Sequence, residues 1–201
     1  MSDVTTPAVK AGPDVRAVLV DAGIVLGTFA LLGVIGAFIW HQVTPLATYT
    51  ATKDNALMDQ LQLAKQVSTD GWFFMIALGG GLLAGAGLMW WRGRDPVVTV
   101  VLIALGSALA AFLMVRVGLD LGPGDLKAAF AKAAVGEKVP IRLAPHGGDV
   151  RLNLLGVHLS APIVSFMWPI GAVLGTLGVL FLTPPRATQQ TPDRQPAATF
   201  G

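Results

Sequence analysis

The chain of 201 residues contains no cysteine. That excludes disulfides, thiolate metal sites, iron–sulfur clusters and a cysteine nucleophile. Charge is also scarce: 13% of the residues are Asp, Glu, Lys or Arg, against roughly 25% in an ordinary soluble domain. Hydrophobic residues make up 53% and mean hydropathy is +0.64. This balance excludes a disordered chain, which needs few apolar and many charged residues, and argues against a water-soluble globule. A formal net charge of +2 is too small to mark nucleic acid as a partner. The motifs of common catalytic sites are missing as well. There is no Gly-x-Ser-x-Gly elbow. The run Gly79-Gly80-Gly81 is not followed by the Lys-Ser/Thr of a phosphate loop. His41, His146 and His158 have no second ligand at a recognised metal-binding spacing, so no metal, cofactor or catalytic residue is expected.

What the chain does have is long uncharged runs. A hydrocarbon core of about 30 Å needs about 20 apolar residues in a helix rising about 1.5 Å per residue. Four segments qualify: Ala22–Trp40, extended back across Asp21 to about Ala17; Gly71–Trp91; Pro96–Val115, with the span running on through Arg116 to Val117; and Ala161–Leu182. The fourth lies inside the long run Leu152–Pro185. There Ala161-Pro162 supplies a start, because proline suits a first helical turn, and Thr183-Pro184-Pro185 supplies a stop. Helices apolar all round must lie in lipid or in a core, and four of them leave too little chain to bury them. Residues 1–16 and 183–201 read as disordered tails, and the first span reads as an uncleaved anchor.

Direction follows from the basic residues at span ends. Arg92-Gly93-Arg94-Asp95 is a four-residue turn with two arginines, which reads as cytoplasmic. Arg16 and Arg186 fall on the same side. Both termini are therefore expected in the cytoplasm. Trp40, Trp72, Trp90 and Trp91 lie near span ends, as an aromatic interface belt requires. Trp168 sits deeper.

Two segments, 41–70 and 118–160, are left outside. Thr48–Thr52 alternates as a strand, and Asn55–Val67 has the spacing of a short amphipathic helix. Asp125 is placed to cap a helix over Leu126–Ala134. Val139–Leu143 reads as a strand, with Pro140 confining it to an edge or strand start. The turn at His146-Gly147-Gly148-Asp149 would return the chain through Val150–Leu154 as its hairpin partner. A lone hairpin is marginal, so both segments are expected to form one cap. The fold class is an all-α membrane protein: four transmembrane helices with a small α+β extracytoplasmic cap from the 1–2 and 3–4 loops.

Small residues recur four apart at Gly23/Gly27, Ala77/Gly81/Gly85, Ala104/Ala108, Gly106/Ala110 and Gly171/Gly175. Such pairs let helices approach closely in lipid. Arg116 and Asp120 lie one helical turn apart at the outer end of the third span. They are either a self-neutralising pair that snorkels or a contact for a lipid headgroup or partner. No span carries an ionisable residue at mid-membrane, which counts against an ion-coupled transporter.

The run Asp70-Gly71-Trp72-Phe73 opens a glycine-rich span. An Arg-bearing short turn follows, then Arg116-Val117-Gly118-Leu119-Asp120-Leu121-Gly122-Pro123, and finally a last span with Trp168-Pro169. Over about residues 70–182 this resembles a group of small four-span membrane proteins of actinobacteria with no assigned function. The resemblance implies a bacterial plasma membrane and the same placement of both termini; it supplies no catalytic residue. The function expected is a non-enzymatic envelope protein that presents its cap to partners. The bilayer is one contact, and an envelope protein or a second copy of the chain is the candidate protein partner. The alternative is a small transporter or permease subunit.

Overall fold

The computed structural model describes residues 15–52, 56–92, 96–124, 126–145, 148–154 and 157–183. Both tails, Gly93–Asp95 of the short turn, Asp125 and the His146-Gly147 turn lie outside the described residues. Among the described residues, four helices are long and apolar enough to cross a membrane. They are α1 (Val15–Val43), α2 (Gln60–Arg92), α3 (Pro96–Leu121) and, after the short α4 (Leu126–Lys132), α5 (Met167–Leu182), which is preceded by a 3-10 turn at Ile163–Phe166.

Each helix ends where its sequence stops supporting it. At the end of α1, Thr44 donates its N–H to the Trp40 carbonyl at 3.1 Å, and Pro45 then biases Thr44 away from helix. At the end of α3, Gly122 closes on the Gly118 carbonyl at 3.1 Å, followed by Pro123. The helix starts hold two corrections. The amphipathic stretch after Asn55 is not a separate helix: α2 is continuous across Asp70-Gly71 for 33 residues, about 50 Å at 1.5 Å per residue. A single glycine weakens a helix without breaking it, and nothing crowds Gly71. The fourth long helix starts at Met167, not Ala161. Pro162 has φ −58° and ψ 137°, an extended conformation, so it ends a strand.

That strand is the larger correction. The structure has a three-stranded sheet in the order β2 (Ala56–Leu57), β1 (Thr48–Ala51), β3 (Lys138–Pro140), and a separate pair, β4 (Asp149–Leu154) with β5 (Val157–Pro162). The residues Val150–Leu154 therefore do not return onto Val139–Leu143. They pair with β5 in the register Val150↔Ala161 and Leu152↔Leu159, while β3 pairs with β1 of the other loop in the register Thr48↔Pro140, Tyr49↔Val139 and Thr50↔Lys138. A short apolar run can be strand or helix on periodicity alone; β5 is such a run. Strand β3 is an edge strand, the position Pro140 permits. Gly136, at φ +90°, turns the chain into β3, a backbone conformation most residues avoid.

Both long loops meet at the end of the bundle where α1 ends and α2 begins. Besides the β1–β3 ladder, Thr48 donates its N–H to Gln62 Oε1 at 3.0 Å, and Tyr49 packs on Phe130 of α4 with ring centroids 6.2 Å apart. Leu143 is buried. A side chain at Gly122 would meet its backbone N at 2.9 Å, so the second loop is seated directly on the end of α3.

The bundle itself is two close pairs of parallel helices, α1 with α3 and α2 with α5, joined by the α3–α5 and α1–α2 contacts. A Cβ on Gly33 would lie 2.6 Å from the Ala110 carbonyl, and one on Gly106 would lie 2.6 Å from the Phe29 ring. Between α2 and α5 the approach is reciprocal. Gly81 and Gly85 abut the Trp168 and Ala172 carbonyls, and Gly171 and Gly175 abut those of Leu78 and Leu82. Close backbone approach of this kind holds helices together where lipid supplies no hydrophobic drive. Two expected pairs are not in such contacts: among the described residues a Cβ on Gly23 or Gly27 would meet no atom of another helix within 4 Å, and Ala104 and Ala108 are exposed.

Candidate functional site

The α3 helix carries Ala108, Phe112, Arg116 and Asp120 at intervals of four residues, and all four are exposed. That spacing keeps them on one stripe. Arg116 and Asp120 are thus on one face, one turn apart, at the loop end of the bundle. Among the described residues neither forms a hydrogen bond or salt bridge.

Arg116 also closes one end of a cleft of about 330 Å³. One wall is α3, with Ala108, Ala111, Phe112 and Val115; the other is the 3-10 turn and the start of α5, with Pro162, Ser165, Phe166 and Pro169. The second wall exists because β5 ends at Pro162 and the 3-10 turn shifts the chain before α5 begins. A helix starting at Ala161 would place different residues there. The lining is apolar apart from Arg116 and Ser165. The Ser165 hydroxyl is covered, and it has no hydrogen-bond partner among the described residues. Sequence reading found Arg116 but missed its opposite wall, because the shift from strand to 3-10 turn to helix carries no charge or periodicity signal.

The volume is at the low end of the roughly 300–1,000 Å³ typical of ligand pockets. Its chemistry suits part of an apolar chain with an anionic or polar group at the Arg116 end. Among the described residues no histidine or carboxylate lines it. Among the described residues no cluster of three or more His, Cys, Asp or Glu could hold a metal ion. His146 lies outside the described residues.

The tryptophans separate into two groups. Trp72, Trp90 and Trp91 are exposed, as a belt residue must be. Trp40 is not: it is fully buried, donates its indole N–H to the Thr69 carbonyl at 2.9 Å, and meets Phe73 edge-to-face at 5.1 Å. It is a core residue at the loop end, beneath Gly118, where a Cβ would lie 2.6 Å from its ring. Trp168 is buried between all four long helices. It touches Gly36 and Gly80, lies edge-on to Phe29 at 6.4 Å, and donates to Met114 Sδ at 3.3 Å. The buried hydroxyls of Ser107 and Thr176 bond to carbonyls of their own helices. Asp21 is near the start of α1, at the opposite end from Arg116.

The chain matches no protein-family model, no curated protein and no solved structure.

Proposed function

We propose that this is a multi-pass plasma-membrane protein without enzymatic activity, with both termini in the cytoplasm, that holds a small extracytoplasmic cap for recognition by an envelope partner. Large apolar side chains facing outward on all four long helices support the membrane placement. Leu31, Ile35 and Phe38 of α1, Leu83 and Met75 of α2, Val101 and Leu105 of α3, and Leu174 and Phe181 of α5 are exposed. In water this continuous apolar surface would drive association; in lipid it needs no cover.

The observation that carries the cap is the β1–β3 ladder, which draws two segments about 90 residues apart in sequence into one sheet. Linked in that way, the loops form a shaped surface and not two mobile arms. The resemblance to small actinobacterial four-span proteins belongs to the same proposal. Crosslinking in intact cells followed by purification under denaturing conditions tests it. A discrete adduct carried by a reactive residue at Val135, and lost when β1–β3 pairing is broken by Tyr49→Pro, supports partner recognition by the cap. Adducts unaffected by Tyr49→Pro refute it.

A further inference from the structure

We infer that the cleft between α3 and the start of α5 is a binding site for a zwitterionic phospholipid with an ethanolamine headgroup. An acyl chain lies between Phe112 and Phe166, the phosphate is on Arg116 and the ammonium is on Asp120. The inference rests on the membrane placement proposed above.

The argument is one of order along a single stripe. From the middle of α3 towards the loop end come Ala108 and Phe112, then a cation at Arg116, then an anion at Asp120, all exposed on one face. A phospholipid entering from the bilayer presents the same order in complementary form: hydrocarbon, then anionic phosphate, then, in phosphatidylethanolamine, a cation. Arg116 and Asp120 are separated by four residues, about 6 Å along the helix. That is the scale of the gap between the two charges of one headgroup. A guanidinium pairs with phosphate through parallel N–H donors, and a carboxylate accepts from an ammonium.

The cleft adds what an exposed pair of charges lacks. It gives the lipid a groove of about 330 Å³ bounded by Ala108, Ala111, Phe112 and Val115 on one wall and Phe166 and Pro169 on the other. Two prolines and two phenylalanines make its walls stiff. Asp120 decides the headgroup. An anionic lipid such as phosphatidylglycerol would satisfy Arg116 but set its uncharged glycerol, within a net negative headgroup, beside a carboxylate.

The test uses the full chain, purified in detergent and equilibrated in micelles holding equal amounts of phosphatidylethanolamine and phosphatidylglycerol. Bound lipid is counted by native mass spectrometry. The wild type is expected to retain one phosphatidylethanolamine in clear preference to phosphatidylglycerol. Arg116→Gln should lose both lipids by roughly tenfold or more, the scale of a lost charge-assisted contact. Asp120→Asn should keep a lipid but lose the preference between the two. Ala108→Phe, which fills the cleft from its exposed edge, should lose both with thermal stability in lipid-free detergent unchanged. A wild type that retains no lipid, or retains both equally, overturns the inference, as does an unaltered preference in Asp120→Asn. Carbonate extraction of the same membranes keeps the two proposals apart. A chain released by carbonate refutes the membrane placement; a chain that resists extraction but binds no lipid refutes only the site.

Discussion

The indole N–H of Trp168 points at the sulfur of Met114, 3.3 Å away, and so ties α5 to α3 at the centre of the bundle. The same ring covers Gly80 of α2 and Gly36 of α1, so one side chain touches every long helix. Trp168→Ala is expected to cost about 3–5 kcal/mol, the range for emptying a large buried aromatic site. Met114→Leu keeps the volume but leaves the indole N–H unpaired, and should cost about 1–2 kcal/mol. Unfolding in a mixed-micelle titration measures both. No loss in Met114→Leu would mean that the contact is a packing contact alone.

Glycine contacts between α2 and α5 should be far less tolerant than their outward-facing neighbours. Gly85→Leu and Gly175→Leu each force a side chain into a backbone carbonyl and should cost at least the roughly 1–3 kcal/mol of an overpacked core. Leu83→Ala, at a position 73% exposed, should change stability by about 0.5 kcal/mol or less. Thermal melting of the three variants in one detergent checks the order.

The tryptophans give a spectroscopic readout of the packing. In variants that keep a single tryptophan, brominated lipids should quench Trp90 and Trp91, which are 76% and 70% exposed. Trp40 and Trp168 should be protected. Strong quenching of Trp40 by lipid would restore it to an interface belt and contradict its burial under Gly118.

The register between the two loops can be locked. Ala51 bonds to Glu137 and Ile141 bonds to Ala47, and the alternation of an antiparallel ladder then makes Thr50–Lys138 a non-bonded pair, with Cα atoms about 4.5 Å apart. A disulfide tolerates that separation. In a chain without native cysteine, Thr50→Cys with Lys138→Cys should crosslink on mild oxidation, visible as a shift in gel mobility. Thr50→Cys with Pro140→Cys, two residues out of register, should not.

Orientation has its own test. A cysteine replacing Val135 should react with an impermeant thiol reagent in intact cells, and one replacing Gly93 should react only after permeabilisation. The reverse pattern would invert the topology and place the α3–α5 cleft in the inner leaflet.

The long helices were legible because lipid-length runs without charge are a signal that survives at low resolution in sequence. Arg116 and Asp120 were legible for the complementary reason: charges stand out at a span end. What remained hidden had no such contrast. Strand β5 lies within an uncharged run in which Pro162 suits a strand end as well as a helix start. The continuity of α2 across Asp70-Gly71 was masked because a polar residue followed by glycine also marks a boundary. Trp40 sits where a belt tryptophan would, and only its packing on Phe73 and Gly118 separates the two roles. The glycines that matter were identifiable as a class but not individually, since Gly23 and Gly81 differ only in what lies opposite.

The pairing of α1 with α3, and of α2 with α5, has a consequence for biosynthesis. Neither close partnership joins helices that follow one another in the chain, so the earlier helix of each pair leaves the ribosome before its mate exists. Helix α1 must wait for α3. Helix α2 must hold its glycine face open until α5 has been synthesised. The first hairpin is therefore an unfinished half-molecule during translation, and the closing event is the arrival of Gly171 and Gly175. A chain stalled or truncated before α5 would keep β1 and β3 but expose the groove along Gly81 and Gly85 that α5 covers in the completed protein.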